Sequence, residues 1–577
     1  MSHTHFSCSR RSFLKIAASS TLALPFSAQA APPARKPDMA VRKIKGFCPF
    51  CQTRCTYHAL VESTPQGDRI RTIIGDTGNR WTGGAMCPKG LSVIDLMNSP
   101  HRLTKAMRRT AQGWQEISYS QAVSIVADTL LALRTRYGES IGEHLAMTEP
   151  LWDCRESELT ALMTMRTAGC VNIMPPGEVC ISTSAQTQGM LLGSGASSTT
   201  VDEVCNCKTL VIWGANITEL YPPYTRWLMK AQEKGVEMIY IDCRKTRTSQ
   251  WCSRQLMPIP GTDGALALGA IHFVLETGAY DAAALAATST GVDKLQQYAE
   301  PWTIPAVSAA TGIAEDAIHA FYATLAQSSS TIVWMGGALS RYTNGMTTVR
   351  AITSLQVLTG NMIGKGCGIL NMQGGKPEGG TEFVDMLCGK AKGKSVNFRR
   401  LTAAMKKGSI DVLFLNSSYR RYPDAKNVAE AIKKVPLVVH RGFFMTEEMD
   451  VATLFIPATF GTESEGSHYA MEKQVEWREK IVAAPGDCVP CWQFYRDLGR
   501  AIAPETYPHF EKPADLYEMC RTRIPSWHGM TLERLRQSPD GLVWPLYENN
   551  AAELTGCHFR EGKYLTPDGK FHFDLPL

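Results

Sequence analysis

The sequence predicts an α/β protein in which a small amino-terminal cysteine-rich domain is followed by two doubly wound parallel-sheet domains. Four of the 18 cysteines crowd into residues 48–87, among glycines and short β-like stretches. Beyond residue 100, amphipathic helical patterns alternate with apolar runs of four or five residues. Such runs are typical of parallel strands that helices cover on both faces. The length of 577 residues is enough for several domains.

Composition and charge exclude several classes of protein. With 44% hydrophobic and 20% charged residues, the chain is neither a disordered tail, a coiled coil nor a disulfide miniprotein. Its net charge is +6, and Arg10, Arg11 and Lys15 supply three of those charges without an acid in the first thirty residues, which leaves +3 (6 − 3) for the remainder. That is too little for nucleic-acid binding to be the default interpretation.

The amino terminus has the order of regions that marks an export signal. Arg10 and Arg11 precede a weakly apolar run over residues 16–26, and Ala28-Gln29-Ala30 follows as a cleavage pattern. Residues 1–30 resemble a twin-arginine signal peptide, with the start of an amphipathic helix as the alternative, and residues 31–42 form a linker. We therefore expect a periplasmic protein. No later segment has about twenty uninterrupted apolar residues, so any membrane attachment is expected to come from a partner.

The predicted strands end in residues that suit a phosphate-rich ligand. Glycine or polar residues follow the runs at 209–213, 237–241, 331–334 and 412–415, namely Gly214 and Asn216, Asp242, Gly336 and Gly337, and Asn416. In open α/β sheets ligands bind at this carboxyl edge, where glycine lets the backbone approach a phosphate and an acid can bind a ribose or a base. The pattern indicates a nucleotide-like ligand.

The cysteine cluster has a metal-ligand spacing. Cys48, Cys51, Cys55 and Cys87 give C-x2-C-x3-C-x31-C. Three thiolates within eight residues and a distant fourth are typical of [4Fe–4S] ligation, whereas a four-cysteine zinc site more often has two separated C-x2-C pairs. Lys89 would place a cation beside the cluster, to tune its potential or relay electrons, unless it is an ordinary surface lysine.

The cluster and its Cys-Pro-Lys-Gly ending resemble the amino-terminal domain of the molybdopterin oxidoreductases of the dimethyl-sulfoxide-reductase superfamily. This group contains formate dehydrogenases, nitrate reductases and thiosulfate, polysulfide and tetrathionate reductases. The resemblance continues in order along the chain through Gly169-Cys-Val-Asn-Ile173, Gly193-Ser-Gly195, Ile241-Asp-Cys-Arg244, Pro260-Gly-Thr-Asp263, Tyr342-Thr-Asn-Gly345, Leu358-Thr-Gly-Asn361 and residues 446–466.

The resemblance implies a division into domains. Residues 43–100 would form the [4Fe–4S] domain, and residues 101–175 with 351–505 a discontinuous first α/β domain that binds molybdopterin. Residues 176–350 would form the second, dinucleotide-binding domain, and residues 506–577 a carboxyl-terminal segment. Full members continue after a segment like 565–570 into a pterin-binding β-barrel, and only seven residues follow Lys570 here. We expect a separate polypeptide to supply that barrel; less enclosed cofactors, or the absence of one, are the alternatives.

The resemblance also implies cofactors and site residues. Members bind molybdenum or tungsten through two pterin guanine dinucleotides, and the position of the protein ligand is Cys180 here, where a thiolate suits the metal. Arg350 resembles the arginine that holds the carboxylate in formate dehydrogenases, unless it anchors a helix. Ile181 stands where those enzymes have a histidine, which counts against formate chemistry. The remaining cofactor contacts implied are Gly214, Asn216, Asp242, Gly261 and Asp263 for one dinucleotide, with Asn416 and Thr446 for the other.

Some of these residues have a simpler interpretation. Asp242 and Asp263 could instead cap helices or form turns. Cys488 and Cys491 form a C-x-x-C pair, but without a thioredoxin-like context we interpret them as a packed or disulfide-forming pair. No C-x-x-C-H occurs, so a covalently attached haem is not encoded.

The sequence thus predicts a periplasmic oxidoreductase that moves two electrons between a small substrate and a metal, and then singly through the cluster to a partner. With Cys180 as ligand, sulfur oxyanions or polysulfide rank above formate or nitrate. An iron–sulfur electron-transfer subunit and a membrane anchor are the partners that the resemblance implies. Two alternatives remain: a metal-free relative that acts as an electron-conduit or assembly subunit, and a zinc-stabilised nucleotide-binding module.

Overall fold

The structure is a computed structural model, and it describes residues 41–65, 67–148, 154–174, 181–371, 377–393, 395–471, 473–548, 559 and 563–574. The predicted signal peptide and Cys180 lie outside the described residues. In the described part of the chain, no helix is long and apolar enough to cross a membrane.

The strands are, in chain order, β1 Val41–Phe47, β2 Thr56–Thr64, β3 Gly67–Gly75, β4 Ala106–Thr110, β5 Gly113–Ile117, β6 Leu145–Thr148, β7 Asn172–Met174, β8 Thr209–Trp213, β9 Glu237–Ile241, β10 Arg254–Leu256, β11 Ser289–Thr290, β12 Thr331–Met335, β13 Gly368–Leu370, β14 Val412–Leu415, β15 Leu437–Gly442, β16 Leu454–Pro457, β17 Gly466–Tyr469, β18 Gln474–Arg478, β19 Leu542–Val543 and β20 Phe571–His572.

The α-helices are α1 Pro88–Leu91, α2 Val93–Met97, α3 Tyr119–Tyr137, α4 Arg155–Ala168, α5 Ser182–Leu192, α6 Ile217–Leu220, α7 Thr225–Glu233, α8 Asp263–Thr277, α9 Ala282–Thr288, α10 Val292–Ala299, α11 Ile304–Thr311, α12 Glu315–Gln327, α13 Gly345–Leu358, α14 Gly380–Cys388, α15 Phe398–Lys406, α16 Ala425–Ile432, α17 Cys491–Ile502, α18 Pro513–Arg521 and α19 Leu532–Gln537.

The amino-terminal domain is a three-stranded sheet in the order β1-β2-β3. Strands β2 and β3 pair antiparallel, and alternate residues of β2, among them Tyr57, Ala59 and Val61, are buried. This alternation is expected for a sheet with one face on a core. The chain between β1 and β2 carries three of the four clustered cysteines, and α1 starts directly after the fourth.

Two parallel sheets confirm the predicted doubly wound architecture. One is wholly parallel, in the order β10-β9-β8-β12-β13. The other has the order β5-β4-β16-β15-β14-β6-β7, with the β4–β5 hairpin antiparallel at one edge. In β8, Val211 and Trp213 face one apolar cluster, and Leu210 and Ile212 face another. Both faces of the strand are therefore covered, which explains its uninterrupted apolar run.

The wholly parallel sheet extends past the boundary predicted at residue 350. That boundary falls inside α13, and the next strand, β13, pairs in parallel with β12. The region reaches Leu370 because β13 fills the edge of the sheet beside β12. The described end of the chain also packs here, since β20 pairs with β11 and Phe571 and Phe573 are buried in the same apolar cluster as Trp213.

A buried ion pair joins the segment before β4 to the segment after β16. Arg102 donates from both Nη atoms to the carboxylate of Glu463, each at 2.6 Å, and both side chains are less than 5% exposed. Glu463 also accepts a hydrogen bond from the backbone N–H of Phe460. The bidentate geometry satisfies the charges of both partners.

Replacing Glu463 by glutamine is expected to destabilise the protein by about 3–5 kcal/mol, because it leaves the Arg102 guanidinium buried without its counter-charge. The measurement is the urea midpoint of the purified holoprotein. Glu139→Gln is the matched control, since Glu139 pairs with Lys392 at 3.3 Å while both side chains are at least 80% exposed, and an exposed pair contributes at most about 1 kcal/mol. Equal midpoints for the two variants would contradict the expectation.

Candidate functional site

The three cysteines between β1 and β2 are held in a closed loop. The backbone N–H of Cys48 donates to the carbonyl of Cys55 at 3.0 Å. Cys48 and Cys55 are buried, whereas Cys51 and Cys87 are partly exposed. A Cβ atom on Gly90 would lie 3.2 Å from the Sγ of Cys48, so the turn after Cys87 packs directly against this loop. The fold thus brings the distant fourth cysteine to the other three.

The thiols act on one another electrostatically. Burial raises the pKa of Cys48 to about 11, and the neighbouring thiols of Cys51 and Cys87 contribute to the increase. Burial and the charges of the other three thiols raise the pKa of Cys55 as well. Among the described residues, no group of three or more histidines, cysteines and acids converges on a point that would hold a single metal ion. In a [4Fe–4S] centre each thiolate binds a different iron, so four crowded thiols suit that group.

Lys89 lies at the surface end of this site. It is in the single-turn helix α1 and is exposed, and its carbonyl accepts a hydrogen bond from the hydroxyl of Ser92. The structure therefore places a solvated cation two residues from Cys87, and its role in electron transfer stays a prediction.

In the wholly parallel sheet, the order in which the chain adds strands reverses between β8 and β12. From β8 the chain proceeds to β9 and β10 on one side and then crosses to β12 on the other. Gly214 follows β8 with φ +62°, and Gly336 follows β12. A Cβ atom on Gly336 would stand 1.6 Å from the carbonyl oxygen of Gly214. The segments that follow β8 and β12 therefore touch through backbone atoms alone. Ligands of open α/β sheets bind at such a point.

The predicted acids lie next to each other along the same edge. Asp263 opens α8 and accepts a hydrogen bond from Trp213 Nε1 at 2.9 Å; burial raises its pKa, and the charge of Asp242 adds to this. Asp242 follows β9 and accepts from the hydroxyl of Tyr240 and the backbone N–H of Arg244. Both carboxylates thus have protein partners, as well as free acceptor capacity.

Gly261 and Asn216 flank these acids. Gly261 has φ +86°, and a Cβ atom there would be 3.4 Å from the ring of Tyr342, while its carbonyl accepts from Asn344 Nδ2. Asn216 is buried, and its amide oxygen accepts a hydrogen bond from the hydroxyl of Thr248 at 2.9 Å. The structure brings Gly214, Asn216, Asp242, Gly261 and Asp263 to one edge, while their cofactor contacts stay predictions.

A small pocket lies next to Ile181, the residue that follows the predicted metal ligand in sequence. Ile181 directly precedes α5, and the pocket next to it is lined by Ile181, Ser184, Ala185, Met335, Gly336, Gly337 and Asn371. Cys180 itself lies outside the described residues. Arg350, in α13, is 3% exposed, and its Nη2 has no hydrogen-bond partner among the described residues. Burial lowers its pKa. Arg350 is not part of the described pocket lining.

In the second sheet, the order in which the chain adds strands reverses between β6 and β14. Asn416 follows β14 and is buried; its backbone N–H donates to the hydroxyl of Thr148, and its Nδ2 donates to the carbonyl of Thr148 and to the hydroxyl of Tyr495. Both amide hydrogens therefore tie β14 to β6 and α17. Thr446 precedes a short 3-10 turn at Glu447–Asp450.

Cys488 and Cys491, the predicted pair, are both buried and are not joined by a disulfide. Cys488 Sγ approaches the carbonyl of Leu103 at 3.8 Å, and Cys491 starts α17. Of the two interpretations of this pair, the structure therefore agrees with packed cysteines and not with a disulfide.

The structure also shows a basic pocket that the motifs do not indicate. Arg54, Arg155 and His468 line it, and all three are buried. Arg155 pairs with Glu158. Burial, together with the charges of Arg478 and Arg54, lowers the pKa of His468 well below its ordinary value. Arg54 was visible inside the cysteine motif, but no spacing rule marks Arg155 or His468.

Glu156, beside this pocket, should make stability depend on pH. Its carboxylate accepts from the backbone N–H and the hydroxyl of Ser467, and burial raises its pKa from 4.5 to about 7. At this group the folded protein then binds a proton more tightly than the unfolded chain, so the contribution of Glu156 to the free energy of unfolding falls as pH rises from 4.5 to about 7 and changes no further above it.

Glu156→Gln is expected to remove about 3 kcal/mol of that decrease, as measured by urea midpoints at several pH values across this range. Glu139→Gln, which changes an exposed carboxylate, should show the same dependence of the urea midpoint on pH as the native protein. A Glu156→Gln profile as steep as that of the native protein would show that Glu156 is ionised in the fold throughout.

Comparison with known proteins agrees with this arrangement. Residues 102–501 match the family model "Molybdopterin oxidoreductase", and residues 41–99 match "Molybdopterin oxidoreductase Fe4S4 domain". The chain is 24% identical to an F420-dependent formate dehydrogenase subunit alpha of Methanocaldococcus jannaschii, covering 92% of this chain and 80% of the relative. It is 25% identical to the assimilatory nitrate reductase catalytic subunit of Bacillus subtilis, covering 91% and 77%.

Two further comparisons give the same result. Formate dehydrogenase H of Escherichia coli is 23% identical, with 92% of this chain and 78% of the relative covered. Among solved structures, acetylene hydratase from Pelobacter acetylenicus has the same fold, with a TM-score of 0.77 at 18% identity over 92% of this chain and 77% of that one. Because the first family model alone covers more than half of the sequence, the chain belongs to the molybdopterin oxidoreductase family, with an amino-terminal Fe4S4 domain.

Proposed function

We propose that this oxidoreductase is the periplasmic catalytic subunit of a complex that reduces sulfur oxyanions or polysulfide. A molybdenum or tungsten centre held by two pterin guanine dinucleotides would supply the two-electron chemistry. Cys48, Cys51, Cys55 and Cys87 would hold the [4Fe–4S] centre, which would carry the electrons one at a time to or from a partner.

The observation that carries the substrate preference is the lining of the pocket next to Ile181. Its described side chains are apolar or neutral, with Ile181, Ala185 and Met335 on the walls and no acid or base among them. Oxidising formate requires that a proton leave the substrate, and an acceptor beside the metal favours this step. Reduction of thiosulfate instead takes two electrons and breaks one S–S bond, giving sulfite and sulfide, which solvent can protonate.

The chain's own residues have three tasks in this proposal. Cys180 would supply a soft thiolate ligand to the metal, and Gly336 and Gly337, which line the pocket next to Ile181, would let the backbone approach a pterin cofactor. Asp242 and Asp263 offer acceptors for its guanine and ribose groups. When bound, the cofactor supplies the two-electron redox chemistry.

Partners and location belong to the same proposal. The relatives are named as subunits, an alpha subunit and a catalytic subunit, which supports an electron-transfer partner for this chain. We propose an iron–sulfur electron-transfer subunit and a membrane anchor as its partners. Arg10 and Arg11 support export; their joint replacement by lysine should retain the protein in the cytoplasm.

The test is anaerobic purification of the complex from its own periplasm, followed by metal analysis and dye-linked assays. We expect about one molybdenum or tungsten and about four iron per chain, and turnover of thiosulfate, tetrathionate or polysulfide above that of formate and nitrate. Cys180→Ala should abolish turnover and keep the iron, whereas Cys388→Ser, far from both motifs in sequence, should keep both. Faster turnover of formate or nitrate would overturn the substrate assignment. Four iron without heavy metal would identify an electron conduit instead.

A further inference from the structure

Arg54 occupies an unusual position inside the cysteine loop. It directly precedes Cys55 and has φ +46°, in the left-handed region that non-glycine residues seldom adopt. Its backbone N–H donates to the carbonyl of Cys51 at 3.2 Å. A side chain at such a position costs conformational energy, and such residues concentrate at functional sites.

The guanidinium of Arg54 folds back over the loop instead of reaching solvent. Only 6% of the residue is exposed, and Nη1 donates to the carbonyl of Pro49, the residue after Cys48, at 3.0 Å. Nε is buried and has no hydrogen-bond partner among the described residues. The positive charge therefore lies within the segment that carries three of the four cysteines.

A buried cation needs an anion close by. An uncompensated charge in a protein interior costs several kcal/mol, and an arginine side chain stays protonated. No ion pair of the described residues includes Arg54, whereas the buried Arg102 and Arg155 each pair with a glutamate. Burial lowers the pKa of Arg54, and the charges of Tyr469, Cys51 and Cys48 act in the opposite direction. The cysteine sulfurs of the loop supply a counter-charge once they bind iron as thiolates.

We propose that Arg54 is the buried counter-cation of the [4Fe–4S] centre and raises its reduction potential. The inference rests on the iron–sulfur site and is independent of the substrate. Reduction adds one electron to the centre and makes it more negative by one charge, while the guanidinium remains protonated. A fixed positive charge nearby stabilises the reduced form more than the oxidised form, and low solvent access preserves the effect.

Lys89 provides an internal comparison. It is also close to a cysteine in sequence, but it is exposed, so water and salt screen its charge. If burial is what makes Arg54 effective, then removing the Lys89 charge should alter the potential much less than removing the Arg54 charge.

The experiment compares Arg54→Gln, Arg54→Gly, Arg54→Lys and Lys89→Gln in the intact complex. Iron content and an EPR-monitored redox titration of the cluster are measured, neither of which depends on turnover. Glutamine keeps the backbone strain and loses the charge, glycine loses both, and lysine keeps the charge. We expect Arg54→Gln and Arg54→Gly to shift the reduction equilibrium at least tenfold towards the oxidised cluster, which is about 59 mV for one electron. Arg54→Lys and Lys89→Gln should each shift it less than half as far.

The outcomes separate charge from shape. Loss of iron in Arg54→Gln and Arg54→Gly but not in Arg54→Lys would also support the counter-cation, because assembly would then depend on the charge. An unchanged potential in Arg54→Gln, or equal loss of iron in all three Arg54 variants, would overturn it. If the potential shifts as expected in the Arg54 variants but the native complex fails to reduce sulfur compounds, this inference stands and only the proposed substrate is overturned.

Discussion

Replacing Cys55 by serine is expected to remove the iron–sulfur centre and with it all electron transfer to a partner. Cys55 is buried, and its carbonyl accepts the hydrogen bond from Cys48 that closes the loop. Serine is close in size, so the loop can still form, but a hydroxyl does not replace a thiolate as an iron ligand. Because crowded buried thiols are stabilised by metal ligation, the loss should also lower the stability of the amino-terminal domain.

The measurements are iron per chain and the visible spectrum of protein purified without oxygen. Cys388→Ser is the matched control, because Cys388 is also a free, partly buried cysteine but lies on α14. We expect the control to keep about four iron and its brown colour, and Cys55→Ser to lose both. Four iron with an unchanged spectrum in Cys55→Ser would contradict the assignment of Cys55 as a ligand.

The parallel strands were the part of the fold that the sequence specified best. The runs at 209–213, 237–241 and 412–415 match β8, β9 and β14, because strands covered on both faces must be apolar at every residue. The edge strand β13 was missed: it has three residues, Gly368–Leu370, too few for a periodic pattern. Its membership of the sheet is fixed by pairing with β12, which is a tertiary property.

The candidate site divides in the same way. The cysteine spacing and the residues that follow β8, β9 and β14 could be read directly, because ligand residues cluster within a few positions there. Arg155 and His468 lie more than 300 residues apart and share a pocket only through the packing of α4 against β17. Asn416 was predicted as a cofactor contact, and the structure adds a structural task, since Thr148 and Tyr495 use its amide hydrogens.

The close approach of β8 and β12 makes Gly336 the glycine whose replacement should have the largest effect on the α/β core. The φ of Gly336 is −86°, which alanine adopts without strain, so only the space around its Cβ matters. That Cβ would lie 1.6 Å from the oxygen and 2.3 Å from the carbon of the Gly214 carbonyl, and 2.8 Å from the nitrogen of Ala215. All three are backbone atoms of a central strand end, so no side-chain rotation can relieve the overlap.

Gly336→Ala should therefore force β8 and β12 apart at the point where a cofactor is expected, destabilising the protein by about 4 kcal/mol or more and lowering its molybdenum or tungsten content. Gly189→Ala is the matched control: Gly189 lies in α5, and nothing stands within 4 Å of its added Cβ. There alanine should stabilise the helix by about 0.5–1 kcal/mol. Urea midpoints and metal per chain measure both effects. A Gly336→Ala protein as stable and as metal-rich as Gly189→Ala would mean that the two strand ends separate easily. The bare backbone contact would then be incidental, not a requirement of the cofactor site.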